Sequence, residues 1–134
     1  MAKILVFNND TNRMETYFRG ENDRMPYNSN GTLRVREFRG RSTSPTLWTE
    51  KRAMQAWNSF RSLLGRPIDV GAGFRRPWEG RHAAQSQHYA GVAFDAGQRM
   101  TAAARNQMRN LAISSRIWRS CRSGSSYSYL GTYG

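Results

Sequence analysis

The chain opens on an apolar run followed by turn formers. Lys3-Ile4-Leu5-Val6-Phe7 is rich in β-favouring side chains, and Asn8-Asn9-Asp10-Thr11-Asn12 supplies turn residues, so a β-hairpin is expected with its return strand over residues 14–18. The polar stretch 19–31, with Pro26 and three asparagines, reads as a loop. Residues 1–31 thus read as an N-terminal β extension and residues 32–134 as the main domain.

Ala53, Met54, Trp57, Phe60 and Leu64 recur at spacings of three and four, which predicts a helix over residues 47–64 with one buried face. Thr46 or Thr49 can cap it, Glu50 suits its first turn, and Gly65 followed by Pro67 stops it. This stripe is core rather than a cofactor box. A strand over residues 68–74 then delivers Arg75 to its end, and residues 78–87 form a loop. Val92-Ala93-Phe94 reads as a short buried strand carrying Asp95 at its tip. Thr101 caps a second predicted helix, 102–115, with Ala104, Met108 and Leu111 turned inward. Ile117-Trp118 starts another strand, and the Ser- and Arg-rich stretch 119–128 reads as disordered because it offers little apolar surface to bury. Without β-α-β repetition, these elements predict an α+β fold, two helices packed on a small antiparallel sheet.

Composition narrows the function classes. The 134 residues suit a single domain, and 38% hydrophobic content allows a modest core. One cysteine, Cys121, excludes an internal disulfide framework, and its Arg- and Ser-rich surroundings suggest an incidental exposed thiol. The apolar run at residues 4–7 is too short for a signal peptide core or a membrane span, so synthesis in the cytoplasm and no membrane span are expected. A net charge of +12, carried almost wholly by arginine, calls for an anionic partner such as wall polymers, lipid headgroups or nucleic acid. The basic residues are scattered rather than gathered in one stripe, which disfavours nucleic acid.

The densest chemistry lies in Ser86-Gln87-His88-Tyr89-Ala90-Gly91-Val92-Ala93-Phe94-Asp95, which spells S-x-H-x-x-G-x-A-x-D. An imidazole and a carboxylate are both good ligands for first-row metals, and Gly91 and Ala93 leave room for the backbone to bring them together. Upstream stand Gly73-Phe74-Arg75-Arg76-Pro77 and, earlier, Leu33-Arg34-Val35-Arg36-Glu37-Phe38.

Over roughly residues 32–118 these segments resemble the zinc D-alanyl-D-alanine peptidases, which include bacterial D,D-carboxypeptidases, D,D-dipeptidases and phage endolysins. All five fixed letters of that family's signature match, and Gly73 to Pro77 is similar to its G-[YF]-R-[ST]-P turn. The resemblance implies an α+β peptidase fold, a Zn2+ cofactor bound by His88 and Asp95, and a catalytic, substrate-steadying role for Arg75. Ser86 would bind substrate or the site backbone. The implied reaction is metal-assisted hydrolysis of peptidoglycan stem peptides by a monomer that acts at the cell wall once released.

The family's third ligand is a histidine near the C-terminus, in a W-x-H-x-D type segment that also supplies the general base. Here the only other histidine is His82, before the motif, and no acid follows Asp95, Glu79 and Asp69 being the nearest upstream candidates. The resemblance therefore implies a truncated or degenerate chain, with His82 as the one in-chain substitute donor, or a catalytically silent homologue that binds wall peptide or polyanion.

Overall fold

The structure is a computed structural model that describes residues 1–79 and 86–134. Seven strands and three α-helices are found among them, an α+β arrangement. β1 (Ala2–Asn8) and β2 (Arg13–Arg19) form the expected hairpin, and α1 (Val35–Arg39) follows the loop. β3 (Thr46–Glu50) leads directly into α2 (Lys51–Leu64), and β4 is Val70–Ala72. β5 (Ala93–Ala96), α3 (Ala102–Ser115), β6 (Ser120–Ser123) and β7 (Ser128–Gly131) complete the order.

Two sheets result, β2-β1-β3 and β4-β5-β7-β6. The second is antiparallel, but the first is mixed, because β3 runs parallel to β1 with Leu5 opposite Trp48. A parallel pair departs from the purely antiparallel expectation. It arises where the helical reading of residues 47–50 fails: Leu47 and Thr49 are buried while Trp48 is exposed, a period of two that fits a strand. The helix begins only at Lys51, and its cap comes from the hairpin turn rather than from Thr46 or Thr49, since Asn9 Oδ1 accepts the Arg52 amide at 3.0 Å. Glu50, the N-cap residue, accepts from Asn9 Nδ2 instead.

The core stripe of α2 is as expected, with Ala53, Met54, Trp57 and Phe60 fully buried. Trp57 packs on Phe94 at 5.1 Å between ring centroids, and Phe94 meets Phe38 and Trp118 edge-on. The β1 residues Ile4 and Val6 join the same hydrophobic cluster, so the hairpin and the helices share one core. α3 has its expected limits and its Thr101 cap, whose side chain accepts the Ala104 amide.

The largest departure lies near the C-terminus. Residues 119–128 are not disordered: Ser120–Ser123 and Ser128–Gly131 pair as a hairpin, and β7 lies along β5 with Ser128 to Gly131 all buried. Ladder hydrogen bonds on both sides of β7, with Leu130 in the core, order a segment whose composition alone cannot. Cys121 sits in β6, half-buried and packed against the core, rather than exposed. Burial pushes its thiol up despite nearby Arg109, which makes it a poor nucleophile.

The two sheets meet at Gly91. Its φ is +66°, and a Cβ there would lie 1.7 Å from the Trp48 carbonyl oxygen, so only glycine fits. Replacing it (Gly91→Ala) is expected to cost at least ~2 kcal/mol of stability, from left-handed strain and displacement of β3, read by chemical denaturation. A variant as stable as the parent would show that this contact is not needed.

Candidate metal centre

His88 lies in a single 3-10 turn, Gln87–Ala90, between the loop after β4 and the start of β5. Ser86 caps this turn, its Oγ accepting the His88 amide at 3.2 Å, so the motif serine shapes the local backbone. Three further backbone bonds fix the turn: the Arg75 amide donates to the His88 carbonyl, as does that of Gly91, and the Val92 amide donates to Gln87. Thr49 Oγ1 donates to the Gly91 carbonyl at 2.8 Å, tying the turn to β3.

This scaffold buries the His88 ring to 2% exposure and sets both of its nitrogens. Nδ1 stands 3.0 Å from the Gly73 carbonyl oxygen. A carbonyl only accepts, so Nδ1 carries the hydrogen and Nε2 presents its lone pair. Nε2 lies 3.3 Å from Oδ1 of Asp95, which is within β5 rather than at its tip. A lone pair and a carboxylate oxygen at this distance are two donors that one metal ion could share. Tetrahedral zinc with bonds near 2.0–2.1 Å holds neighbouring donors about 3.3–3.4 Å apart, so this pair matches two corners of such a site. The Gly73 carbonyl stands where metal-bound histidines generally keep an outer hydrogen-bond partner that fixes their tautomer.

A third donor is not gathered here. Among the described residues no group of three or more His, Cys, Asp or Glu side chains could hold a metal ion. His82, the candidate substitute, lies outside the described residues. The neighbour of Asp95 across the β5–β7 ladder is Tyr129, whose ring meets that of His88 edge-on at 5.7 Å between centroids. The Arg122 guanidinium covers the Tyr129 ring at 4.3 Å, and burial, the main cause, raises the Tyr129 hydroxyl above its ordinary pKa. Sequence reasoning missed Tyr129 and Arg122 because both fall in the segment read as disordered or just past it. The one signal for Tyr129 was the apolar Tyr129-Leu130 pair, and Arg122 had none.

Arg75 is brought beside His88 through its backbone, and its Nε is buried without a hydrogen bond among the described residues. Residues beyond β7 close over the same turn. Gln87 and Tyr133 exchange two bonds, side-chain amide to backbone, and Thr132 donates twice to the Val92 carbonyl.

The upstream acids are already committed. Asp69 Oδ2 accepts the Arg99 amide. Glu79 accepts from Ser42 Oγ, from the Thr43 and Arg76 amides and from Arg76 Nη2, pinning the loop after Pro77 to the segment before β3. Compared with known protein families, curated proteins and solved structures, the chain matches none.

Glu79 yields a pH prediction. Burial opposes its ionisation, but the bonds from Arg76, Ser42 and the two amides outweigh that and hold its pKa at about 2, below the ordinary 4.5. A depressed carboxyl contributes stability that is complete above pH ~4.5 and lost as pH falls towards 2. Glu79→Gln is therefore expected to lose ~1–3 kcal/mol at neutral pH and to flatten the acid limb between pH 5 and 2.5 in denaturant melts. Parallel acid limbs for the two proteins would contradict this.

Proposed function

We propose that this chain is a zinc-dependent peptidoglycan peptidase of the D-alanyl-D-alanine type, acting on cell-wall stem peptides. One observation carries the reading: the 3.3 Å approach of His88 Nε2 to Asp95 Oδ1, with Nδ1 held by the Gly73 carbonyl. The S-x-H-x-x-G-x-A-x-D resemblance supplies the substrate class. Bound zinc would polarise the scissile carbonyl as a Lewis acid. His88 and Asp95 would hold the ion, His88 from a buried position in the 3-10 turn and Asp95 from within β5. Arg75, anchored by its amide to the His88 carbonyl, would set its guanidinium against the substrate carboxylate, with fork geometry suited to that group.

A second reading is favoured by Tyr129. The side chain across the ladder from Asp95 is Tyr129, a phenol that burial keeps protonated rather than a carboxylate or imidazole, and the sequence shows no acid after Asp95. A domain so built would hold stem peptide in the cleft without cleaving it.

Zinc titration by calorimetry tests both. The parent protein is expected to bind zinc weakly, since the described residues supply two donors and leave the ion largely to water, and to hydrolyse stem peptide slowly; no hydrolysis at saturating zinc would favour the binding module over the peptidase. His88→Ala is expected to remove zinc binding, a larger loss than the ~10–100-fold of outer-partner changes. Zinc affinity unaltered by His88→Ala would overturn the metal reading. Stem-peptide binding that persists in chelator would favour the binding module.

The charge of +12 adds an expectation about walls. Binding to isolated cell walls should fall steeply as salt rises, because exposed arginines meeting polyanions are screened and release counterions. Pull-down across a salt series measures it, and salt-independent retention would count against a polyanion partner.

A further inference from the structure

Among the described residues, no helix or second sheet packs on the outer face of the β2-β1-β3 sheet. Ile4, Val6, Leu47 and Thr49 point into the core, so alternate residues of the three strands point outward. Register places Leu5 between Thr16 and Trp48, and Phe7 between Met14 and Glu50. Trp48 is 44% exposed, Met14 49% and Phe18, opposite Lys3, 60%. Apolar side chains gathered on one exposed sheet face offer a surface on which a ligand can pack.

Three features select the occupant. The first is charge: on a protein of +12, the outward positions of these strands carry only Lys3 and Glu50, and Glu50 is engaged by Asn9 and Tyr133. An uncharged ligand fits this face better than the polyanions that suit the rest of the surface. The second is size. Three strands ~4.8 Å apart and five to seven residues long at ~3.3 Å each give on the order of 250–300 Å2, well below the ~800 Å2 per partner of a standard protein interface. The third is continuity. A groove of about 220 Å3 runs from Phe7, Met14 and Trp48 to Tyr89 and Ala90, which belong to the same 3-10 turn as His88.

We infer that this sheet face is a platform for the uncharged glycan strand to which a stem peptide is attached, with Trp48 as its stacking ring. The inference rests on the peptidoglycan reading of the His88 site and deepens it. Sugar rings lay their apolar C–H faces on aromatic rings, while the hydroxyls of Thr16 and Thr46 lie within the same face to meet sugar hydroxyls. A glycan on the sheet would send its peptide along the groove towards Tyr89 and His88.

The test uses the whole protein and two separate probes: a chitin tetrasaccharide without peptide, and a stem pentapeptide without sugar. Calorimetry with the tetrasaccharide is expected to show saturable binding that persists in chelator and in His88→Ala. Trp48→Ala should weaken it at least tenfold while leaving zinc affinity unchanged. Thr16→Arg, which removes no core group and places a charge on the face, should weaken it in the same way. Loss of zinc and pentapeptide binding with intact tetrasaccharide binding would sink the peptidase reading and leave the platform standing. The platform is overturned if the folded parent does not bind the tetrasaccharide, or if both variants bind it as the parent does. A concentration-dependent dimer that Trp48→Ala dissolves would overturn it too, assigning the face to a second copy.

Discussion

Everything around the His88–Asp95 pair depends on how closely β3 and the 3-10 turn approach at Gly91. The Trp48 carbonyl occupies the space a side chain would need, and Thr49 reaches across to the Gly91 carbonyl. This contact ties β3 of one sheet to the turn that leads into β5 of the other. It fixes where the turn ends, hence where β5 begins, and so how far Asp95 lies from His88. A bulkier residue at position 91 would have to push β3 or the turn away, and either movement would separate Oδ1 from Nε2. The parallel placement of β3 against β1 is therefore part of the site's geometry, although no residue of β3 enters the site.

Legibility in the sequence followed local information. The limits and cap of α3 were readable, and Met108 faces the core as expected, but the second fully buried residue is Ala112, with Leu111 only partly buried and Ala104 outside the core cluster. The α2 stripe was readable too, but its start was not. Residues 46–50 carry apolar side chains compatible with either period, and what decides between them is β1, more than forty residues earlier, supplying a parallel partner. Asn9 shows the same limit. As a turn residue it was plain, but its service as the cap of α2 depends on that pairing.

β6 and β7 mark the other boundary of what composition can say. Serine and arginine bury little surface, yet a strand between two neighbours needs mainly backbone partners and a few inward side chains. Leu130, Tyr129 and the small Ser128 and Gly131 meet that need. The candidate site divides likewise. The local motif named His88 and Asp95, but the distance between them also depends on β3 meeting the turn at Gly91. Tyr129 and Arg122 enter through long-range β pairing, which no spacing rule reads.

The pair itself carries the chemical argument furthest. Had Nδ1 faced solvent, His88 could have chosen the tautomer that donates to Asp95, and the 3.3 Å contact would be an ordinary neutral hydrogen bond. The Gly73 carbonyl removes that choice, because it can only accept. Neutral His88 must then meet the carboxylate with a lone pair, in a place too buried for bulk water to screen the repulsion. Zinc at the pair would relieve this, and it would need further donors. Whether it is held is therefore decided less by the pair than by what the cleft adds beside Tyr129, on the face that β7 closes.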